Sequence, residues 1–244
     1  MFPIRDHNPS LSTPWVTRGI IALNLFIYLL TADWGGQMAG LWTSGALYAG
    51  EVSHGRDLIG LITHMFLHAN LMHVAGNMLF LWVFGDNLED QLGHIGFLLF
   101  YLAGGLAAAF VQIAADPGSE IPMVGASGAI AAVMGGYLLL FPRARVDILV
   151  IFIVFFKIFT IPAWIVLGLW FGLQLVNGVG ADLGSGGVAY WAHIGGFVAG
   201  LLMMTPHFLR LGGPGFWGRT RGLPPHPSID YVRTTIPVVP RRRR

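Results

Sequence analysis

The chain has 244 residues, 55% of them hydrophobic and only 11% charged, against about 25% charged in a soluble domain. That deficit excludes an ordinary water-exposed globular domain, and the absence of cysteine excludes disulfides and thiolate metal sites. The formal net charge of +2 hides a lopsided distribution, with half of the 14 Lys and Arg residues after Arg210 and a run from Arg241 to Arg244 at the end.

Residues 1–15 are polar and contain proline, and read as a short cytoplasmic N-terminal tail. No small-residue cleavage site follows a short apolar core, so the first apolar run, Val16 to Trp34, reads as a retained span 1 and not a signal peptide. Gly35 to Ile62 mixes Trp42, Tyr48, Glu51, Arg56 and Asp57 with apolar residues, which suits a segment lying partly in the membrane interface. Span 2 covers His73 to Leu88 and ends in the acidic patch Asp86, Glu89 and Asp90. Span 3 runs from Ile95 to Ala115, and Asp116 to Glu120 form a turn. Span 4, Ala126 to Phe141, is short and rich in Gly and Ala. The apolar stretch from Val146 to Val176 exceeds the roughly 20 residues that one upright helix needs. Lys157 and Pro162 interrupt it, so Val146 to Thr160 reads as interfacial or re-entrant and Pro162 to Val176 as span 5, with Pro162 in its first turn. Span 6 is Val188 to Met204. Residues 206–244 read as a basic, Pro/Gly-rich disordered cytoplasmic tail, which either meets anionic lipid or enforces topology.

The expected fold is an all-α polytopic membrane protein, with a six-helix transmembrane domain over residues 16–205. With both termini cytoplasmic, the inner segments hold Arg5, Arg18, Arg143, Arg145 and the tail, while the outer segments hold only Arg56. The distribution of basic residues therefore fixes the orientation.

Polar residues inside spans are costly and are functional candidates: Asn24, His73, Asn77, Ser127 and His193, with His64 and His68 just before span 2. Ser127 lies in Gly125-Ala126-Ser127-Gly128 at the start of span 4, where backbone N–H groups lack helical partners and suit an oxyanion. A simple serine helix cap is the competing reading. Ser127, Ala131 and Gly135 recur on one face and make a groove for a neighbouring helix. His193, Gly196 and Gly200 share a face of span 6, so pairing the two small-residue strips brings His193 towards Ser127. A histidine there accepts the serine proton and returns it to the leaving amine; a structural histidine bonded to a backbone carbonyl is the alternative. His73 and Asn77 are four apart on one face, and both donate hydrogen bonds. His64 and His68 have the same spacing, which raises a zinc alternative, but no glutamate follows the first histidine as a metalloprotease helix requires. No acid presents itself to orient His193, since Asp182 falls on a loop. The unit is a dyad, and neither metal nor cofactor is expected.

These motifs together resemble the rhomboid family of intramembrane serine proteases, in its bacterial branch. The resemblance spans Leu61 to Met204. It rests on His73-x-x-x-Asn77, Gly85 through Glu89, Gly125-Ala126-Ser127-Gly128, Phe141 through Val146, and Ala192-His193-x-Gly-Gly with Gly200. It implies Ser127 as nucleophile, His193 as general base, and His73, Asn77 and the Ser127 amide as oxyanion hole. His68, with His73, Asn77, Ser127 and His193, is expected to line a water cavity open to the outer side. Gly125, Gly128, Gly196 and Gly200 support the site, and the resemblance gives Glu89 a structural role at the inner end. Substrates would be single-span membrane proteins cut near the extracytoplasmic face of a lipid bilayer, the bacterial plasma membrane, with no nucleic-acid partner. Two departures stand out. Ala131 occupies the position where some members place an aromatic residue that stacks on the histidine. The Trp-Arg pair of the first loop is missing, with Arg56 flanked by Gly55 and Asp57. The rival readings are a non-catalytic rhomboid-like protein that binds membrane clients, and a small transporter with a polar path through His73, Asn77 and His193.

Overall fold

A computed structural model describes residues 2–32, 39–152, 155–180 and 187–225. Helix α1, Trp15–Thr31, corresponds to span 1. Three short helices follow, α2 (Ala39–Gly45), α3 (Ala49–Ser53) and α4 (Gly60–Thr63), then a single 3-10 turn at His64–Phe66. Helix α5, Leu71–Ala115, is 45 residues long, about 68 Å at 1.5 Å per residue and twice what a bilayer core of about 30 Å requires. It breaks at Gly93, whose φ of 69° no helix accommodates, and the two arms are the predicted spans 2 and 3. Helix α6, Ser127–Leu140, is span 4; α7, Ala163–Gly180, is span 5; α8, Tyr190–Arg210, is span 6. Among the described residues, α5, α7 and α8 are long and apolar enough to cross a membrane, and α1 and α6 are shorter apolar helices.

The core centres on α6. All its residues from Gly128 to Tyr137 are buried, which explains why this helix is apolar all round with no polar face. It lies between α5 and α8. The outward faces carry large apolar side chains: Leu23, Phe26 and Leu29 on α1, Trp164, Leu169, Leu173 and Val176 on α7. An exposed apolar belt of this kind suits lipid, not water.

Three expectations from the sequence need revision. The N-terminal segment is more than a tail, because Phe2–Asp6 forms strand β1. The stretch read as interfacial or re-entrant is a β-hairpin of β2, Arg145–Phe152, and β3, Phe155–Pro162, so a small sheet of order β1-β2-β3, antiparallel throughout, accompanies the helices. The chain beyond residue 205 does not lose structure at once. Helix α8 continues through Pro206 to Arg210, and α9, Pro214–Thr220, follows with Phe216 buried against Phe208. The remainder of the predicted tail, from residue 226, lies outside the described residues.

The sheet is bound by polar contacts to the end of the bundle that carries Tyr137 and Asn87. Tyr137 of α6 donates to Asp6 at 2.7 Å, and the Asn87 amide donates to the Asn8 carbonyl at 2.6 Å. Asp90 accepts from the backbone of Leu11 and Ser12. Inside the sheet, the buried Asp147 carboxylate receives Thr160, His7 and Arg5. The Thr160 hydroxyl foremost, with His7 and Arg5, holds its pKa well below the ordinary carboxylate range. Asp6 is pushed the other way, up to about 6, by burial that the Tyr137 hydrogen bond only partly offsets.

Candidate active site

The Asn70 side chain caps α5 by accepting from the His73 backbone N–H at 2.9 Å. That cap fixes where the helix starts, and so the face on which His73 and Asn77 stand one turn apart. The His73 ring accepts a long bond from the Ala69 N–H through Nδ1, at 3.5 Å, which leaves the proton on Nε2. A Cβ built on Gly125 would lie 2.7 Å from His73 Nε2 and 3.6 Å from Asn77 Nδ2, so both donors converge on the turn before α6. The Asn77 amide nitrogen is buried without a partner, an unusual cost for a native side chain.

Gly125 has φ +127°, a conformation that disfavours any side chain. Its N–H donates to the His64 carbonyl at 2.8 Å, tying the turn to the segment before α5. Ser127 is then the first residue of α6, among backbone N–H groups without intrahelical acceptors.

The two small-residue strips meet. A methyl on Gly196 would strike the Gly128 carbonyl, one on Gly200 the Ala132 carbonyl, and one on Gly135 the Phe197 carbonyl. This backbone-to-backbone approach of α6 and α8 sets His193 Nε2 2.8 Å from Ser127 Oγ. The pair opens on a cavity of about 1000 Å³, lined also by His73, Asn77, Trp170 and Trp191.

His68 stands apart from this group. It is buried, packs edge-on against His73 with ring centroids 5.1 Å apart, and is not part of the cavity wall. His64 is spent on the Gly60 carbonyl at 2.8 Å, and no three His, Asp or Glu side chains among the described residues converge as a metal site would need. Glu89 is remote from this group, at the start of α1, where it accepts from the Val16 and Thr17 N–H groups and the Thr17 hydroxyl and caps α1. Arg56, lacking a Trp neighbour, pairs with Glu51 at 2.6 Å. Asp182 lies outside the described residues.

Three contacts were not anticipated from the sequence. Gln174 of α7 meets His193 Nδ1 through Oε1 at 2.8 Å. The Trp170 ring lies against the imidazole with centroids 5.7 Å apart, so the aromatic neighbour that Ala131 cannot supply comes from α7. Gln112 accepts from the Ala192 N–H at 3.1 Å and steadies the first turn of α8. The signal for both glutamines was present, since each is a strongly polar side chain within a predicted span.

Comparison with known proteins agrees with the motif resemblance. The family described as Rhomboid domain matches residues 55–210, more than half of the chain. Rhomboid protein 1, mitochondrial, of Saccharomyces cerevisiae is 31% identical over 150 residues, covering 59% of this chain and 40% of its own length. Presenilin-associated rhomboid-like protein, mitochondrial, of Bos taurus is 29% identical over 190 residues, covering 77% and 47%. RHOMBOID-like protein 6, mitochondrial, of Arabidopsis thaliana is 39% identical over 99 residues, covering 38% and 30%. The chain thus spans less than half the length of these relatives. Their names are mitochondrial, and they give no support to the expected bacterial branch or to a bacterial plasma membrane.

Proposed function

We propose a function from one premise: this chain belongs to the rhomboid family. On that premise it is an intramembrane serine endopeptidase with a Ser127–His193 dyad, acting on single-span membrane proteins near the extracytoplasmic face. Its helices cross the bilayer six times with both termini on the cytoplasmic side. The observation that carries this reading is the 2.8 Å contact between Ser127 Oγ and His193 Nε2 at the wall of a large cavity. A client-binding scaffold has no use for a nucleophile and a base held at that distance.

The chemistry follows from the geometry. His193 Nε2 takes the Ser127 proton as Oγ bonds to the scissile carbonyl carbon. The carbonyl oxygen becomes an oxyanion, and His73 Nε2–H, Asn77 Nδ2–H and the free N–H groups at the start of α6 are the donors aimed at it. The oxyanion then collapses, the C–N bond breaks, and His193 passes its proton to the leaving amine, leaving the acyl group on Ser127. A water repeats the sequence on the acyl-enzyme, releasing the second product and restoring the serine.

Depth matters as much as distance. The 14 residues of α6 span about 21 Å of a core about 30 Å thick, so with its inner end at the boundary Ser127 sits roughly 10 Å below the outer surface. Water reaches that level through the cavity, and a substrate helix must unwind locally to present a carbonyl there. Gly or Pro near the scissile bond lowers that cost.

The test is cleavage of a single-span substrate in liposomes by wild type, Ser127→Ala and His193→Ala. Both variants are expected to fold and to lose cleavage. Cleavage that survives in either removes the dyad; failure of a fluorophosphonate to label Ser127 in an inactive wild type favours the client-binding reading.

A further inference from the structure

We propose that Gln174 is the positioning residue that sets the tautomer of His193, doing with a neutral amide what an acid does in a triad. The proposal rests on the Ser127–His193 reading and deepens it. Each imidazole nitrogen has one polar neighbour at 2.8 Å: Ser127 Oγ at Nε2 and Gln174 Oε1 at Nδ1. A neutral imidazole has one donor and one acceptor nitrogen, and which is which depends on the partners.

The orientation of the Gln174 amide decides the matter. Its Nε2 donates to the Trp170 carbonyl one turn back on α7, at 3.4 Å, so the oxygen is the end presented to His193. An amide oxygen only accepts. Nδ1 therefore carries the proton, and Nε2 keeps the lone pair that the serine proton needs. In the opposite tautomer Nε2–H would face Ser127, and no proton could be taken.

The same contact serves both halves of the reaction. When Nε2 takes the serine proton the ring holds two N–H groups, and the Nδ1–H stays on Gln174. When Nε2 gives its proton to the leaving amine, the ring returns to the tautomer it started in, ready for water. Trp170 covers the imidazole from the same helix, with the planes 36° apart. Gln174 is buried and takes no part in the cavity wall, so it acts on the histidine and not on substrate.

The experiment has two arms. In the first, wild-type protein with nitrogen-15 histidine is read at a pH where His193 is neutral, with its signals identified by their loss in His193→Ala. A pyrrole-like Nδ1 and a pyridine-like Nε2 are expected, and the reverse pattern overturns the proposal. This arm does not depend on cleavage, so it stays distinct from failure of the protease reading. In the second, Gln174→Met removes the acceptor at similar size. Its kcat and its rate of fluorophosphonate labelling at Ser127 are expected to fall about tenfold or more, on the scale of orienting contacts at other sites. KM should be unchanged. Gln174→Glu, which keeps an acceptor oxygen at the same reach, should restore the Nδ1–H form and most of the rate. Labelling of Gln174→Met at the wild-type rate overturns the proposal; if that variant does not fold, the wild-type spectrum alone decides.

Discussion

Gly196 of α8 lies so close to Gly128 of α6 that the space for a single methyl group is already filled by the Gly128 carbonyl. The distance between Ser127 and His193 is therefore set by two backbones in contact, with no side chain between them to adjust. Gly196→Ala should push the helices apart, at about 1–3 kcal/mol of overpacking strain. Cleavage should fall further than stability does, because the Ser127–His193 hydrogen bond is lost first. Thermal unfolding in detergent alongside cleavage separates the two effects, and a Gly196→Ala enzyme of normal activity would contradict the account.

Asn77 offers the opposite dissociation. Its amide nitrogen is buried and unpaired in the resting protein, a group whose desolvation is uncompensated. Asn77→Ala is expected to leave stability unchanged or raise it, while lowering kcat by about 10²–10³-fold, the usual loss for one oxyanion donor. A variant that is both less stable and fully active would show that Asn77 serves packing.

At Gly125 two penalties coincide. Alanine there is strained by the φ of +127°, and its methyl would stand 2.7 Å from His73 Nε2. Gly125→Ala should displace the histidine and reduce kcat much as His73→Ala does, and combining both substitutions should cost little more than either. Additive losses in the double variant would place the two residues in separate roles.

The β1-β2-β3 sheet should respond to pH in two directions. Asp147 is more acidic folded than unfolded, so its contribution is fully present above the ordinary carboxylate value of 3.8 and is lost as pH falls through its lower folded value. Asp6, raised to about 6 by burial, works the other way: the sheet loses stability as pH rises from 3.8 to about 6. Hydrogen exchange of β1 and β2 amides, corrected for its intrinsic pH dependence, should thus show strongest protection near the ordinary value of 3.8, where neither loss has set in far. Asp6→Asn, which keeps an acceptor for Tyr137, should slow exchange at pH 7, and faster exchange would refute the assignment.

The helical frame was legible because each span is a local signal, an apolar run closed by Gly, Pro or charge. The approach of Ser127 to His193 was legible for a related reason: small residues recur on one face of each of two spans, and those strips pack against each other. The sheet was not. β2 and β3 read as one apolar run, although Val146, Ile148, Val150, Ile158 and Ile161 carry the β-branched bias of strands. The third strand is Phe2–Asp6, paired with residues some 140 positions later, and local periodicity has no access to such a partner. Gln174 is a polar side chain within a predicted span, but nothing local to it shows that its amide oxygen meets a histidine on another helix.

That third strand also bears on how the protein is made. During synthesis β1 precedes its partner, and the edge it joins appears only after α6 has been synthesised. Until then the segment waits with its strand edge open, and the anchors on Asn87 and Asp90 become available well before the hairpin does. Closing a loop this long adds little free energy but takes time. The sheet is thus a clasp that can close once α1, α5 and α6 have been laid down, ahead of α7 and α8.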